Sequence, residues 1–294
     1  MITVVGSINM DLVVETTTLP MQGETNFGKS FSTVPGGKGA NQAVAAARLG
    51  GKVQMIGCVG DDLFGEELLS NLRREQIMID HIQRVQNTAT GIANILLSEG
   101  DNRIIVVPGA NDKLTPERIE QLTAQIVESK IVIVQLEIPT NTVLKTLEIC
   151  KTNNIPVLLN PAPATGFSPK MIDLSTFVTP NETECEQIFG ADYEHALEKY
   201  PNQVIVTLGK KGAQFFNGEK HVVVKSFETN AIDTTGAGDT FNGAFAYAIS
   251  QNYPFEDAIE FANAAASLSV EKFGAQGGMP RLEDVKERLK IISN

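Results

Sequence analysis

A glycine-rich turn that runs straight into an apolar-striped helix constrains this chain more than any other stretch. It spans Asp233 to Phe245 and reads Asp-Thr-Thr-Gly-Ala-Gly-Asp-Thr-Phe-Asn-Gly-Ala-Phe. Phe241, Ala244, Phe245, Ala248 and Ile249 recur at the spacing of one helical face, so a helix is predicted to begin near Gly238 and to bury that face. Asp239 then stands in its first turn. Gly236, Ala237 and Gly238 carry almost no side chain, so their N–H groups are free to close on an anion, and the helix dipole adds about half a positive charge there. An anion cradle beside a carboxylate suits phosphoryl transfer, which needs a positive, preorganised pocket and a group that orients the attacking hydroxyl. A tight strand-to-helix turn with Asp239 as an ordinary first-turn acid is the alternative. The stretch does not complete a dinucleotide fingerprint, and neither the segment around Lys38 nor the one around Lys210 completes a P-loop.

With 294 residues, 42% of them hydrophobic, the chain can bury a large core and sits at the upper end of a single domain. A net charge of −11 argues against nucleic acid or anionic membrane as partner. Cys58, Cys150 and Cys185 are odd in number and widely spaced, which points to neither a disulfide framework nor a zinc site and fits a reducing compartment. The start is strand-like, Ile2 to Val5, with no basic-plus-apolar leader, and no apolar run is long enough to span a membrane. A soluble cytoplasmic protein is expected.

Residues 2–8 read as a buried strand whose end delivers Asn9 and Asp11, either as ligand-binding groups or as an Asx turn. Residues 12–35 and 91–107 read as strands outside the main sheet, the second pair turning at Glu99-Gly100-Asp101-Asn102, and together they predict a small β appendage. A second glycine-rich turn, Gly36-Gly37-Lys38-Gly39-Ala40-Asn41, opens a helix closed by Gly50. Lys38 and Asn41 offer donors to hydroxyls or phosphate, or Lys38 is merely solvated. From Thr115 onward strands and helices alternate, which predicts an α/β fold with a mostly parallel sheet between helices. Glu137 ends one strand and can meet the same crevice. Asn181 and Glu184 lie on one face of a helix start, where Glu184 can hold a hydrated Mg²⁺ or serve only as a favourable N-terminal acid. Thr207-Leu-Gly209-Lys-Lys-Gly212 allows close backbone approach to a nucleotide or makes a hairpin.

Taken in order, Gly36 to Asn41, Pro180 to Glu184, Thr207 to Gly209 and Asp233 to Phe241 resemble the signatures of the ribokinase or PfkB-like carbohydrate kinases, over nearly the whole chain. The resemblance implies one α/β domain over residues 1–294, with lid strands inserted at about 12–35 and 91–107 that cover the sugar and pair in a homodimer. It implies ATP-dependent phosphorylation of D-ribose at the 5-hydroxyl. Another sugar, a nucleoside, or a catalytically silent binder on the same fold are the alternatives. By position it implies Asn9, Asp11, Gly37, Lys38, Asn41 and Glu137 for the sugar, Asp239 as base, and Gly236, Ala237 and Gly238 as anion hole. Around ATP and Mg²⁺ it implies Asn181, Glu184, Thr207, Gly209, Gly212 and Asn263. An activating K⁺ would involve Asp233, Thr235, Ser269, Lys272, Gly274 and Gly278, although Gly278 stands where such sequences usually offer a serine hydroxyl.

Overall fold

The computed structural model describes residues 1–98, 101–191 and 193–290. Its strands in chain order are β1 (Ile2–Val5), β2 (Asn9–Thr16), β3 (Gly28–Gly36), β4 (Val53–Gly60), β5 (Met78–Val85), β6 (Gly91–Ser98), β7 (Asp101–Val107), β8 (Ile131–Gln135), β9 (Val157–Asn160), β10 (Phe177–Val178), β11 (Val206–Thr207), β12 (Ala213–Phe216) and β13 (His221–Val224). The helices are α1 (Lys38–Arg48), α2 (Leu63–Arg74), α3 (Pro116–Gln121), α4 (Thr123–Val127), α5 (Thr140–Thr152), α6 (Lys170–Leu174), α7 (Glu182–Phe189), α8 (Tyr193–Glu198), α9 (Ala237–Ser250), α10 (Phe255–Ser269) and α11 (Leu282–Lys290).

Six parallel strands in the order β10-β9-β8-β1-β4-β5 form the central sheet. Every residue of β1, β4, β8 and β9 is buried, as continuous apolar strands covered on both faces must be. The period-two alternation splits them cleanly. Ile131 and Ile133 face one core with α1, α2, α9 and α10, while Val132 and Val134 face a second core with α3, α4 and α5. The first core brings α1 against α9, and Gly243 permits the close crossing, because a Cβ there would lie 2.6 Å from the carbonyl oxygen of Gln42. That contact sets the two glycine-rich turns side by side.

A four-stranded sheet, β3-β2-β6-β7, projects from the body. It matches the strand-rich stretches expected at 12–35 and 91–107, with one correction. β1 stops at Val5, and Asn9 and Asp11 belong to β2, the first strand of the projecting sheet, rather than to the end of a body strand or an Asx turn. Of the turn expected at 99–102, Glu99 and Gly100 lie outside the described residues. All residues of β7 are exposed. A third sheet, β11-β12-β13, is antiparallel and joins the edge of the central one through bridges Val178–Val204 and Asn181–Thr207. Among the described residues no helix is long and apolar enough to cross a membrane.

Candidate active site

Helix α9 starts at Ala237 behind Gly236, whose backbone is left-handed with φ 79°. A side chain at 236 would also strike Ala275, with its Cβ 2.8 Å from the Ala275 Cα. The space beside Gly238 is open, so the turn presents its N–H groups without a side chain in front of them. Asp239, in the first helical turn, is buried. Both of its oxygens accept from neighbouring amides of α1: Oδ2 from Asn41 Nδ2 at 3.0 Å and Oδ1 from Gln42 Nε2 at 2.9 Å.

Around this carboxylate the structure gathers most of the groups expected for the sugar. Glu137, two residues past β8, accepts from Ser7 Oγ at 2.6 Å and from the Lys38 backbone N–H at 3.2 Å. Asp11 lies over Gly36, where a Cβ would fall 2.4 Å from either carboxylate oxygen. Burial, with the charges of Glu137 and Asp239, pushes the Asp11 carboxyl up to about 7 against the pull of Lys38. Burial alone would lower Lys38, yet the combined field of Asp239, Glu137, Glu184 and Asp11 holds its ammonium above the usual lysine range. This is one electrostatically coupled pocket. Asn9 is buried, and its Oδ1 accepts from Asn111 Nδ2 at 2.7 Å.

The residues expected around the nucleotide line up along a neighbouring edge. Asn181 and Glu184 form a reciprocal capping box at the start of α7: Glu184 N donates to Asn181 Oδ1 at 2.8 Å, and Asn181 N to Glu184 Oε2 at 2.9 Å. One carboxylate oxygen of Glu184 remains for a hydrated cation, and burial raises its carboxyl despite the Asn181 N–H and Lys38. Thr207 ends β11 beside Pro180, and Gly209 and Gly212 turn the chain into β12. Asn263 spends its amide on the carbonyls of Val224 and Lys225, at 2.9 and 3.3 Å, which makes it a clamp on the loop after β13.

Asp233 accepts from Thr235 N and Gly274 N, each at 2.9 Å. Burial opposes its ionisation, but these bonds and the Thr235 hydroxyl bring its carboxyl below the ordinary range. At Gly278 a Cβ would sit 1.8 Å from the Ser269 carbonyl oxygen. That carbonyl therefore approaches where a serine side chain would project, so any cation held there meets backbone oxygens, not a hydroxyl. Lys272 is exposed. Among the described residues no three His, Cys, Asp or Glu side chains gather into a metal-holding group. The free Glu184 oxygen suits a hydrated Mg²⁺, which keeps several waters and takes one or two carboxylates.

Sequence reasoning missed Gln42, Asn111 and Gln276. Gln276 Nε2 donates to Asn41 Oδ1 at 3.0 Å and its Oε1 accepts from Asn71 Nδ2 at 2.9 Å, so the segment after α10 buttresses the amide that meets Asp239. The only sequence signal for Gln42 was its place one residue after Asn41.

The geometry stands beside three comparisons. The family model for pfkB carbohydrate kinases matches residues 1–282. The chain belongs to the pfkB family. It is 49% identical to the ribokinase of Lactococcus lactis, covering 99% of this chain and 97% of that one, and 49% identical to that of Bacillus subtilis, covering 98% and 99%. The structure of Arabidopsis thaliana ribokinase complexed with ribose and ATP superposes with a TM-score of 0.90 at 34% identity, covering 98% of each chain. The parallel six-stranded sheet between helices, with its small additional sheets, is the α/β fold shared with that ribokinase.

Proposed function

We propose that this chain transfers the γ-phosphoryl group of ATP to the 5-hydroxyl of D-ribose, giving D-ribose 5-phosphate and ADP. The observation that carries the reading is the convergence of buried Asp239 with Asp11, Lys38, Asn41 and Glu137 beside an open glycine turn, in a chain whose close relatives are ribokinases. Asn9, Asp11, Gly37, Lys38, Asn41 and Glu137 bind the sugar hydroxyls. Asp239 orients the 5-hydroxyl and takes its proton as the oxygen bonds to γ-phosphorus. The bond to the bridging oxygen breaks, and its electron pair leaves on ADP. The N–H groups of Gly236, Ala237 and Gly238 stabilise the charge on the transferring group.

Asn181, Glu184, Thr207, Gly209, Gly212 and Asn263 surround the nucleotide, and Glu184 would hold Mg²⁺ through water. When bound, Mg²⁺ supplies neutralisation of phosphate charge. Asp233, Thr235, Ser269, Lys272, Gly274 and Gly278 would hold an activating K⁺, mainly through backbone carbonyls. The projecting sheet closes over the sugar and excludes water. Its exposed apolar residues, Phe31, Ile105 and Val107, meet a second copy to form a homodimer. ATP-dependent ADP release across ribose, deoxyribose, fructose and adenosine, with and without K⁺, tests the reading. Ribose-selective turnover supports it, and selectivity for another acceptor overturns the sugar assignment while leaving the chemistry.

A further inference from the structure

The Gln42 side chain is wholly buried on α1, yet it is wired only to polar groups. Its Nε2 donates to Asp239 Oδ1 at 2.9 Å and to Asn160 Oδ1 at 3.0 Å, and its Oε1 accepts from Gln135 Nε2 at 2.7 Å. Gln135 and Asn160 are partners in register at the ends of β8 and β9, and Asn160 is fixed by Nδ2 donation to the Thr179 carbonyl at 3.1 Å. The Gln42 amide therefore has one allowed orientation. Turned over, it would aim its oxygen at the Asp239 and Asn160 oxygens and its NH₂ at the Gln135 NH₂. Buried amides are costly unless bonded, so filling this space is better done by an apolar side chain. The ends of two strands of the sheet thus orient the Gln42 amide of α1 so that it donates to Asp239 Oδ1.

Resting on the proposed kinase reading, we infer that Gln42 is a positioning residue that locks the Asp239 carboxylate in the orientation from which it accepts the hydroxyl proton. Asn41 holds the other oxygen, so the carboxylate plane is fixed from two adjacent positions of α1. Each oxygen keeps acceptor capacity for the substrate. The effect belongs to turnover rather than to sugar affinity.

The test compares Gln42→Glu, Gln42→Met and Gln135→Met with the wild-type chain, by thermal melting and by initial rates between about pH 6 and pH 8. Gln42→Glu lowers kcat about ten- to a hundredfold at the higher pH, the effect of losing one hydrogen bond to a charged group, with sugar KM within about threefold. Its rate relative to wild type recovers toward the lower pH, where the introduced carboxyl gains a proton and becomes a donor again. Asp239 on α9 touches Gln42 directly, and Lys38 on α1, Asp11 on β2, Glu137 after β8 and Glu184 on α7 share the pocket of Asp239 in both proteins, so the ratio isolates the substitution. Gln42→Met loses turnover without recovery. A defect in Gln42→Glu that is independent of pH, or that lies in KM, overturns the inference. Should both variants unfold, Gln135→Met removes only the orienting donor, and an unchanged kcat in that folded variant overturns it as well. Absence of turnover in the wild type sinks the kinase reading instead. The ¹³Cγ resonance of Asp239 then reads the contact independently, moving in Gln135→Met if the inference holds and staying put if it does not.

Discussion

Asn41 and Asp239, 198 residues apart, meet through a 3.0 Å hydrogen bond that joins the two glycine-rich turns of this chain. The contact exists because α1 and α9 cross closely on one face of the parallel sheet, with Gly243 against the Gln42 carbonyl. It ties the Asp239 carboxylate to the turn that opens α1. Asp239→Asn keeps the shape and removes the proton acceptor. Turnover is expected to fall at least about a hundredfold with sugar binding retained, as steady-state rates and calorimetric titration with sugar will show. Near wild-type turnover contradicts the assigned role.

The Asp11 carboxyl, raised to about 7 by burial and then by Glu137 and Asp239, makes stability depend on pH. Between its ordinary value of 3.8 and about 7 the folded chain holds a proton that the unfolded chain has released. Stability is therefore lost as pH rises through that window, by about 1.4 kcal/mol per pH unit at most, and levels off above it. Asp11→Asn abolishes this contribution. Urea unfolding at several pH values should show the variant gaining on the wild type from about pH 4 to pH 7. A pH-independent difference contradicts the account.

At Gly278 a serine has no room. A Cβ 1.8 Å from the Ser269 carbonyl forces the backbone apart, and Gly278→Ser should cost about 1–3 kcal/mol, the usual range for overpacking. Chemical denaturation measures it. Unchanged stability means the loop after α10 is more adaptable than its packing implies.

The dimer proposal is tested on the projecting sheet. Ile105 is 62% exposed on edge strand β7, whereas Ile95 on β6 is half-buried, so a charge belongs at the former. Ile105→Glu is expected to convert a dimer to a monomer by light scattering at unchanged melting temperature. An undisturbed dimer excludes that face.

What could be read from the sequence was local. The α9 turn, the helix start at Asn181 and Glu184, and the fully buried strands each declare themselves within a few residues, through glycine placement, first-turn acids or mostly apolar runs. β5 went unread because Met-Ile-Asp-His-Ile-Gln-Arg-Val mixes polar and apolar residues, as suits a half-exposed edge strand. The amide partners of the site were invisible for another reason. Gln42 finds Asp239 and Gln135, and Gln276 finds Asn41, across 93 to 235 residues, and only the packed sheet brings them together. Asn9 and Asp11 were assigned to the wrong sheet, since nothing in the run Val5 to Asp11 marks where one strand stops and the next begins.

The most direct test of the central claim is ³¹P NMR of the purified chain with ATP, Mg²⁺, K⁺ and D-ribose. The account predicts ADP and D-ribose 5-phosphate appearing in equal amounts, with the new phosphate coupled to the C5 protons. Phosphate on another carbon, or ADP accompanied only by inorganic phosphate, contradicts it.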